Sequence, residues 1–307
     1  MRSIFTRLIS ESSPGGSPEL PTLYRALVAQ WSAPSTKPEA MDGGVTETMA
    51  LACLYDAKQV GSLRSIVDAL SRVASIVRDR ISLDSWRILS RLDDDFHPNY
   101  PLGVVSLADV LTMLNQMILN LTAYSGVVAE NMTRGPGWQF LDVGRRIERA
   151  LVMIGLLRNS VTVPTPFEHS VLDALLEIAD SSMTYRNRYA TVLQLGTVLD
   201  LLMTDETNPR SVGFQLAALS DHVERLPRQQ SDPLLSAEQR LSIALVSSVR
   251  LADVAALGEV DEHGVRSGLD RLLDRLAGQL RELANGVSHK YLVHAGPAHQ
   301  MANIHPR

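Results

Sequence analysis

Between positions 142 and 149 the chain sets five charged residues in eight: Asp142, Arg145, Arg146, Glu148 and Arg149. Residues of these types could do acid–base work on an anionic substrate. A carboxylate shielded from water has its pKa raised, and a neighbouring guanidinium lowers it. In that chemistry Glu148 is a candidate general acid or base and Arg145 a candidate anchor for the anion. The residues around them carry a helical pattern. At about 100° per residue, Phe140, Val143, Ile147, Leu151 and Ile154 form one apolar stripe, with the charged set off it. One turn later, from Leu151 to Leu157, the pattern is apolar nearly all round, as in a buried helix. Buried charges must be paired. Two readings therefore stand: a paired, buried charge network, or a helix with a wet first half and a dry second half.

Three other helices are expected to turn polar groups inward. Phe167 to about Leu193 reads as one helix, in which Arg186 falls roughly 20° from Leu175 and points into the core, in the cluster Tyr185-Arg-Asn-Arg-Tyr189. A buried arginine needs carboxylate or carbonyl partners, so Tyr185, Arg186 and Arg188 join the candidate set; the alternative is an arginine that snorkels from a helix end. If Leu63 to about Leu92 is continuous, Asp84 points inward between Ile81 and Ile88, as a second candidate acid or base. If it breaks at Ser82 or Asp84, Asp84 is an N-cap. After Pro209, Gln215 and His222 fall at the edge of the stripe around Leu219. A lone histidine there reads as a core residue and not as a metal ligand.

The elements that must position these groups all read as helices. A short one spans Thr22 to Trp31, between Pro/Gly/Ser-rich loops at Ser10–Pro21 and Ala33–Gly44. Ser106 caps a long helix to about Met132, and Gly135-Pro-Gly137 opens the charged helix. Asn208-Pro209 reads as a helix start. Ser236-Ala-Glu-Gln239 matches a capping box for a helix to about Leu257, and the last helix runs from about Val265 to His294. No stretch alternates as a strand does. The expected fold is all-α, a bundle of long helices with a buried Arg/Glu/Asp network. We read residues 1–307 as a single domain: an irregular part over 1–60, a helical core over 61–295 and a tail over 296–307.

The bulk composition narrows the function classes. Of 307 residues, 45% are hydrophobic and only 5% aromatic, which favours helices over sheets. A net charge of −5 without a basic patch argues against nucleic acid. No apolar run approaches the roughly 18 residues of a membrane span. The single Cys53, in an apolar setting, excludes an internal disulfide and suits a reducing cytoplasm. There is no Gly-rich phosphate loop, Gly-x-Ser-x-Gly elbow or His-Glu-x-x-His helix. No metal and no cofactor is expected, and self-association is left open.

Phe140-Leu-Asp-Val-Gly-Arg-Arg-Ile-Glu-Arg-Ala150 resembles the signature of the bacterial alpha-E domain family, helical domains with a recurrent Glu-Arg motif. Val77–Arg87, Ala179–Tyr189, and Val198-Leu-Asp-Leu-Leu through Asn208–Leu216 match in order, so the resemblance extends from about residue 60 to the C-terminus. The family usually begins with a further helix carrying its own Gly-Arg-x-x-Glu-Arg-Ala copy, whereas this chain starts Met1-Arg-Ser-Ile-Phe-Thr-Arg-Leu, similar to the tail of that helix. The resemblance thus implies that the first helix is missing, the chain being either truncated or the C-terminal part of a longer protein. It also implies a context: a circularly permuted ATP-grasp ligase-like protein as partner, in cis or in trans, in ATP-dependent peptide synthesis or modification. No catalytic residue carries over from the family.

The first functional reading is a helical accessory or binding domain for such a ligase. A stand-alone enzyme is the second, with Glu148 or Asp84 as acid/base and Arg145 or Arg186 holding a carboxylate or peptide substrate. A purely structural scaffold is the third; in it, Glu148→Gln destabilises folding.

Overall fold

The computed structural model describes residues 2–3, 5–6, 47–96, 106–189, 192–227 and 234–292. The helix expected at 22–31, its flanking loops and the C-terminal tail lie outside these. Twelve helices and no strand occur among the described residues, as an all-α bundle requires.

The first four helices form one group. They are α1 (Glu47–Tyr55), α2 (Leu63–Ile76), α3 (Leu83–Phe96) and α4 (Leu107–Asn131). Helix α1 falls in the stretch expected to be irregular; its Ala50 and Leu54 pack with Phe5, Val110 and Leu114. Ser106 caps α4 in a full capping box with Asp109, which satisfies otherwise orphaned backbone donors.

Of the two readings of residues 63–92, the broken helix holds. After α2, Val77 leaves the helix, Arg78–Arg80 form a 3-10 turn and Ile81 is extended. The Ser82 hydroxyl then accepts the Ser85 N–H at 3.1 Å and starts α3. Asp84 therefore sits in the first turn of a new helix, and its phase is not inherited from Leu70.

The larger core belongs to α5 (Pro136–Val161), α6 (Glu168–Ile178), α7 (Ser182–Tyr189), α8 (Leu195–Leu199), α9 (Val212–Glu224), α10 (Ala237–Arg250), α11 (Val254–Leu257) and α12 (Ser267–Tyr291). Helix α5 packs on α9 and α12, and α10 closes the bundle against both. Ala150, Leu157, Leu245, Leu273, Leu276 and Leu280 are wholly buried at its centre. Arg158 of α5 reaches across to Asp270 of α12 at 2.7 Å and also to Asp274. Arg266, just ahead of α12, is buried and donates to the Val161 carbonyl at 2.7 Å while pairing with Glu168.

The helix expected from Phe167 to Leu193 is also two helices. Asp180 N–H donates to Glu177 O at 3.0 Å, and Ser181 N–H to Leu176 O at 2.8 Å. These are the paired bonds of a Schellman ending, with Asp180 at φ 51° where glycine is usual. Aspartate tolerates this left-handed conformation better than most residues. The break resets the helical phase, so Arg186 faces solvent instead of the core.

Between α8 and α9 lies a π-helical turn, Asp200–Thr204, whose Leu201, Leu202 and Met203 are fully buried. Helix α9 begins three residues after the expected Asn208-Pro209 start. Its N-cap is Ser211, whose hydroxyl accepts the Phe214 N–H at 2.9 Å. The segment 205–211 turns on two short-range bonds: the Asp205 carboxylate accepts Thr207 N–H, and the Asn208 amide oxygen accepts Arg210 N–H.

Candidate functional site

Gly135 is the N-cap of α5 and Pro136 its first residue, where proline's missing N–H costs nothing. From that start the helix turns Asp142, Val143, Ile147 and Ala150 inward and Gly144, Glu148 and Arg149 outward, with Arg145 and Arg146 half-buried between. Both readings of the charged segment therefore hold in part.

Asp142, only 2% exposed, is the hub of the buried half. Its carboxylate accepts from Arg146 Nε at 3.0 Å, Arg145 Nη1 at 3.3 Å and His222 Nε2 of α9 at 2.8 Å. Arg146 continues to Gln215 Oε1 at 3.2 Å, and the Gln215 amide donates to the Pro209 carbonyl. A chain of polar contacts thus runs from α5 through α9 into the 205–211 segment. Burial by itself pushes the Asp142 carboxyl up; Arg146 and the His222 hydrogen bond outweigh it and hold the group below the usual carboxylate range. The Trp138 ring meets His222 edge-on at 5.2 Å, and His222 Nδ1 is buried without a hydrogen-bond partner among the described residues.

A second polar group forms where α7, the π turn and segment 205–211 meet. The Tyr185 hydroxyl shares a hydrogen bond of 2.6 Å with Thr197. Tyr189 donates to Asp200, and burial followed by that bond pushes its phenol above the usual tyrosine range. Arg188 donates to buried Asp205, and Asn208 ties the segment to Ser181 Oγ and Leu201 O. A cavity of about 420 Å³ opens here, next to Arg188 and Thr207. A larger one of about 580 Å³, lined mostly by apolar residues such as Leu70, Val73, Val128 and Trp138, lies between α2–α4 and the start of α5.

The structure does not join all the expected residues into one interior network. Asp142, Arg145, Arg146 and Gln215 come together; Tyr185 and Arg188 belong to the second group. Asp84 is exposed, pairs among the described residues with Arg87 alone, at 3.5 Å, and is not the N-cap, a role that falls to Ser82. Arg186, Glu148 and Arg149 are exposed, and none has a hydrogen bond or ion pair among the described residues. Arg149 does feel its neighbours. Local desolvation, then the charges of Arg145, Arg146 and Arg210, push its guanidinium below the usual arginine range, although the residue as a whole is exposed.

Sequence reasoning missed two anchors. His222 was legible as an inward residue on the face of Gln215, but its partner lies on another helix. Asp205 carried no signal beyond the turn-forming run Asp-Glu-Thr-Asn-Pro. Among the described residues no three His, Cys, Asp or Glu side chains are placed to hold a metal, and no helix is long and apolar enough to cross a membrane.

Fold and site define an all-α domain organised around a charged helix with a buried aspartate hub. The chain belongs to the Alpha-E family, described as "a predicted alpha-helical domain with a conserved ER motif", whose model matches residues 2–292, well beyond the span from residue 60 that the motifs alone carry. The chain is 31% identical over 235 residues to Uncharacterized protein Rv2567 of Mycobacterium tuberculosis and to Uncharacterized protein Mb2597 of Mycobacterium bovis. The match covers 75% of this chain and 26% of each relative, so the chain corresponds to about a quarter of their length. No solved structure matches it.

Proposed function

We propose that this chain is a helical accessory domain that works with an ATP-grasp ligase-like protein and offers its arginine face to the carboxylate groups of a peptide substrate or product. The observation that carries this reading is the charge imbalance around α5. Arg145, Arg146 and Arg210 all lie within electrostatic reach of Arg149, while the carboxylates paired with these arginines are buried Asp142 and, at 3.2 Å from Arg210, Asp180. Arg149 and Glu148, the Glu-Arg pair of the motif, remain exposed with no partner among the described residues. Exposed charges that the fold does not use are available to a partner or ligand. The relatives' much greater length also suits a domain that serves a larger assembly.

The test is ATP-dependent ligation assayed with a circularly permuted ATP-grasp protein alone, with this chain added, and with Arg149→Glu added. Stimulation by the wild-type chain that the variant loses supports the reading. No binding to such a protein and no change in its activity overturns it. Glu148, Arg145 and Arg186 line neither the 580 Å³ nor the 420 Å³ cavity, so no observation favours the stand-alone enzyme.

A further inference from the structure

We propose that the 420 Å³ cavity beside Arg188 is a binding site for a carboxylate, with Arg188, Asn187 and Thr184 as its donors. This site lies beyond the arginine face of α5 and does not depend on the ligase reading.

The three donors stand on one face of α7, since residues three and four apart on a helix are neighbours. Arg188 carries five N–H donors, and one, on Nη1, goes to Asp205. Asn187 and Thr184 are exposed, line the cavity and make no hydrogen bond among the described residues. On the opposite wall, Thr207 donates its hydroxyl hydrogen to Asp205 Oδ1 at 2.7 Å, and Pro209 has no N–H to give.

Asp205 is not an acceptor for a ligand. Its Oδ1 already takes the backbone N–H and the hydroxyl of Thr207, and its Oδ2 takes Arg188. It lines the cavity beside Arg188 and holds one end of the guanidinium through Nη1, while the buried Asn208 pins the wall segment to Leu201 of the π turn. Irregular π turns of this kind often accompany functional sites. The result is a guanidinium held at one end, with unused donors facing a cavity of ligand size.

The charge count selects the ligand class. Arg188 and Asp205 together carry no net charge, so repulsion from Asp205 weighs about twice as heavily on a phosphate dianion as on a singly charged carboxylate, and the local donors must supply the affinity. A planar carboxylate matches the fork with two parallel hydrogen bonds and adds one negative charge. Such a carboxylate is supplied either by a free amino acid or by a peptide C-terminus.

Titration of the chain by calorimetry or amide chemical shifts at pH 7 tests this, with alanine, trialanine, trialanine amide and inorganic phosphate as probes. Saturable binding of alanine or trialanine is expected, the tighter of the two identifying the source, with at least tenfold weaker binding of the amide and of phosphate. Arg188→Gln risks the fold by leaving Asp205 without its cation, so Arg188→Lys, which keeps the charge but not the fork, is the primary variant. It and Asn187→Ala should each weaken carboxylate binding several-fold with the melting temperature unchanged. No saturable binding of either carboxylate, phosphate binding as tightly as trialanine, or affinity unmoved by both variants overturns the proposal.

Discussion

His222 Nε2 lies 2.8 Å from Asp142 Oδ2, joining α9 to α5 across eighty residues of sequence. The same carboxylate holds Arg145 and Arg146, so one buried aspartate sets the register between two helices of the main core. Because Arg146 passes the linkage on to Gln215 and thence to Pro209, that hub also positions the segment next to the proposed carboxylate cavity.

Asp142→Asn is accordingly expected to destabilise the chain by about 3 kcal/mol, the lower end for breaking a buried ion pair. Arg146 and Arg145, each partly exposed, recover some hydration, whereas His222 does not. Urea unfolding of the variant should show a lower midpoint with an unchanged slope. A midpoint equal to wild type would mean that the hub does not hold the helices.

Stability should fall in acid, and Asp142 should account for part of the loss. In the fold, Asp142, Asp205 and Glu238 are all held below the usual carboxylate range despite burial, by Arg146 and His222, by Thr207 and Arg188, and by Ser236 and Lys290 respectively. In the unfolded chain they titrate near about 3.9–4.3. Below that range the unfolded state binds more protons than the folded one, so the stabilisation is complete above about pH 5 and is lost as pH drops through the lower folded values. Melting temperatures from pH 7 to pH 3 should decline below about pH 4.5, less steeply in Asp142→Asn. A flat profile contradicts the assignment.

Glu148→Gln should leave stability within about 0.5 kcal/mol of wild type, as for surface changes away from special features. Glu148 is exposed and unpartnered among the described residues, so no buried charge is stranded. A thermal melt decides the matter. A drop of several degrees would restore the scaffold reading, in which the Glu-Arg pair serves folding.

Gly213→Ala should be costly, about 1–3 kcal/mol as for overpacking. A Cβ at this position would stand 2.7 Å from the Thr204 carbonyl oxygen and 3.2 Å from that of Met203, both backbone atoms of the π turn. Backbone cannot step aside as a side-chain end can, so α9 would be pushed off the turn. The measurement is chemical denaturation, with hydrogen exchange at Met203–Asp205 rising if the contact is responsible.

Much of the frame is legible in local spacing. Ser106 reads as an N-cap and Ser236 with Gln239 as a capping box by spacing alone, Pro136 marks the start of α5, and the inward turn of Gln215 follows from its place at the edge of the Leu219 stripe, whereas Asp142 lies off its stripe and turns inward onto His222 and Arg146. Asp84 and Arg186 stay out of the interior for a shared reason. Each lies beyond a helix break that lacks glycine and proline: the 3-10 turn at Arg78–Arg80 and the Schellman ending at Asp180.

The helical class, most helix starts and the angular place of each residue within an unbroken helix can be read from the chain, because all three follow from local hydrogen bonding and side-chain periodicity. Only the tertiary structure decided that His222 completes the Asp142 hub, that Arg188 rests on Asp205, and that Glu148 and Arg149 stay outside. Helical phase survives only while the i to i+4 ladder is continuous. Partners eighty residues apart are chosen by how whole helices pack, which no local spacing records.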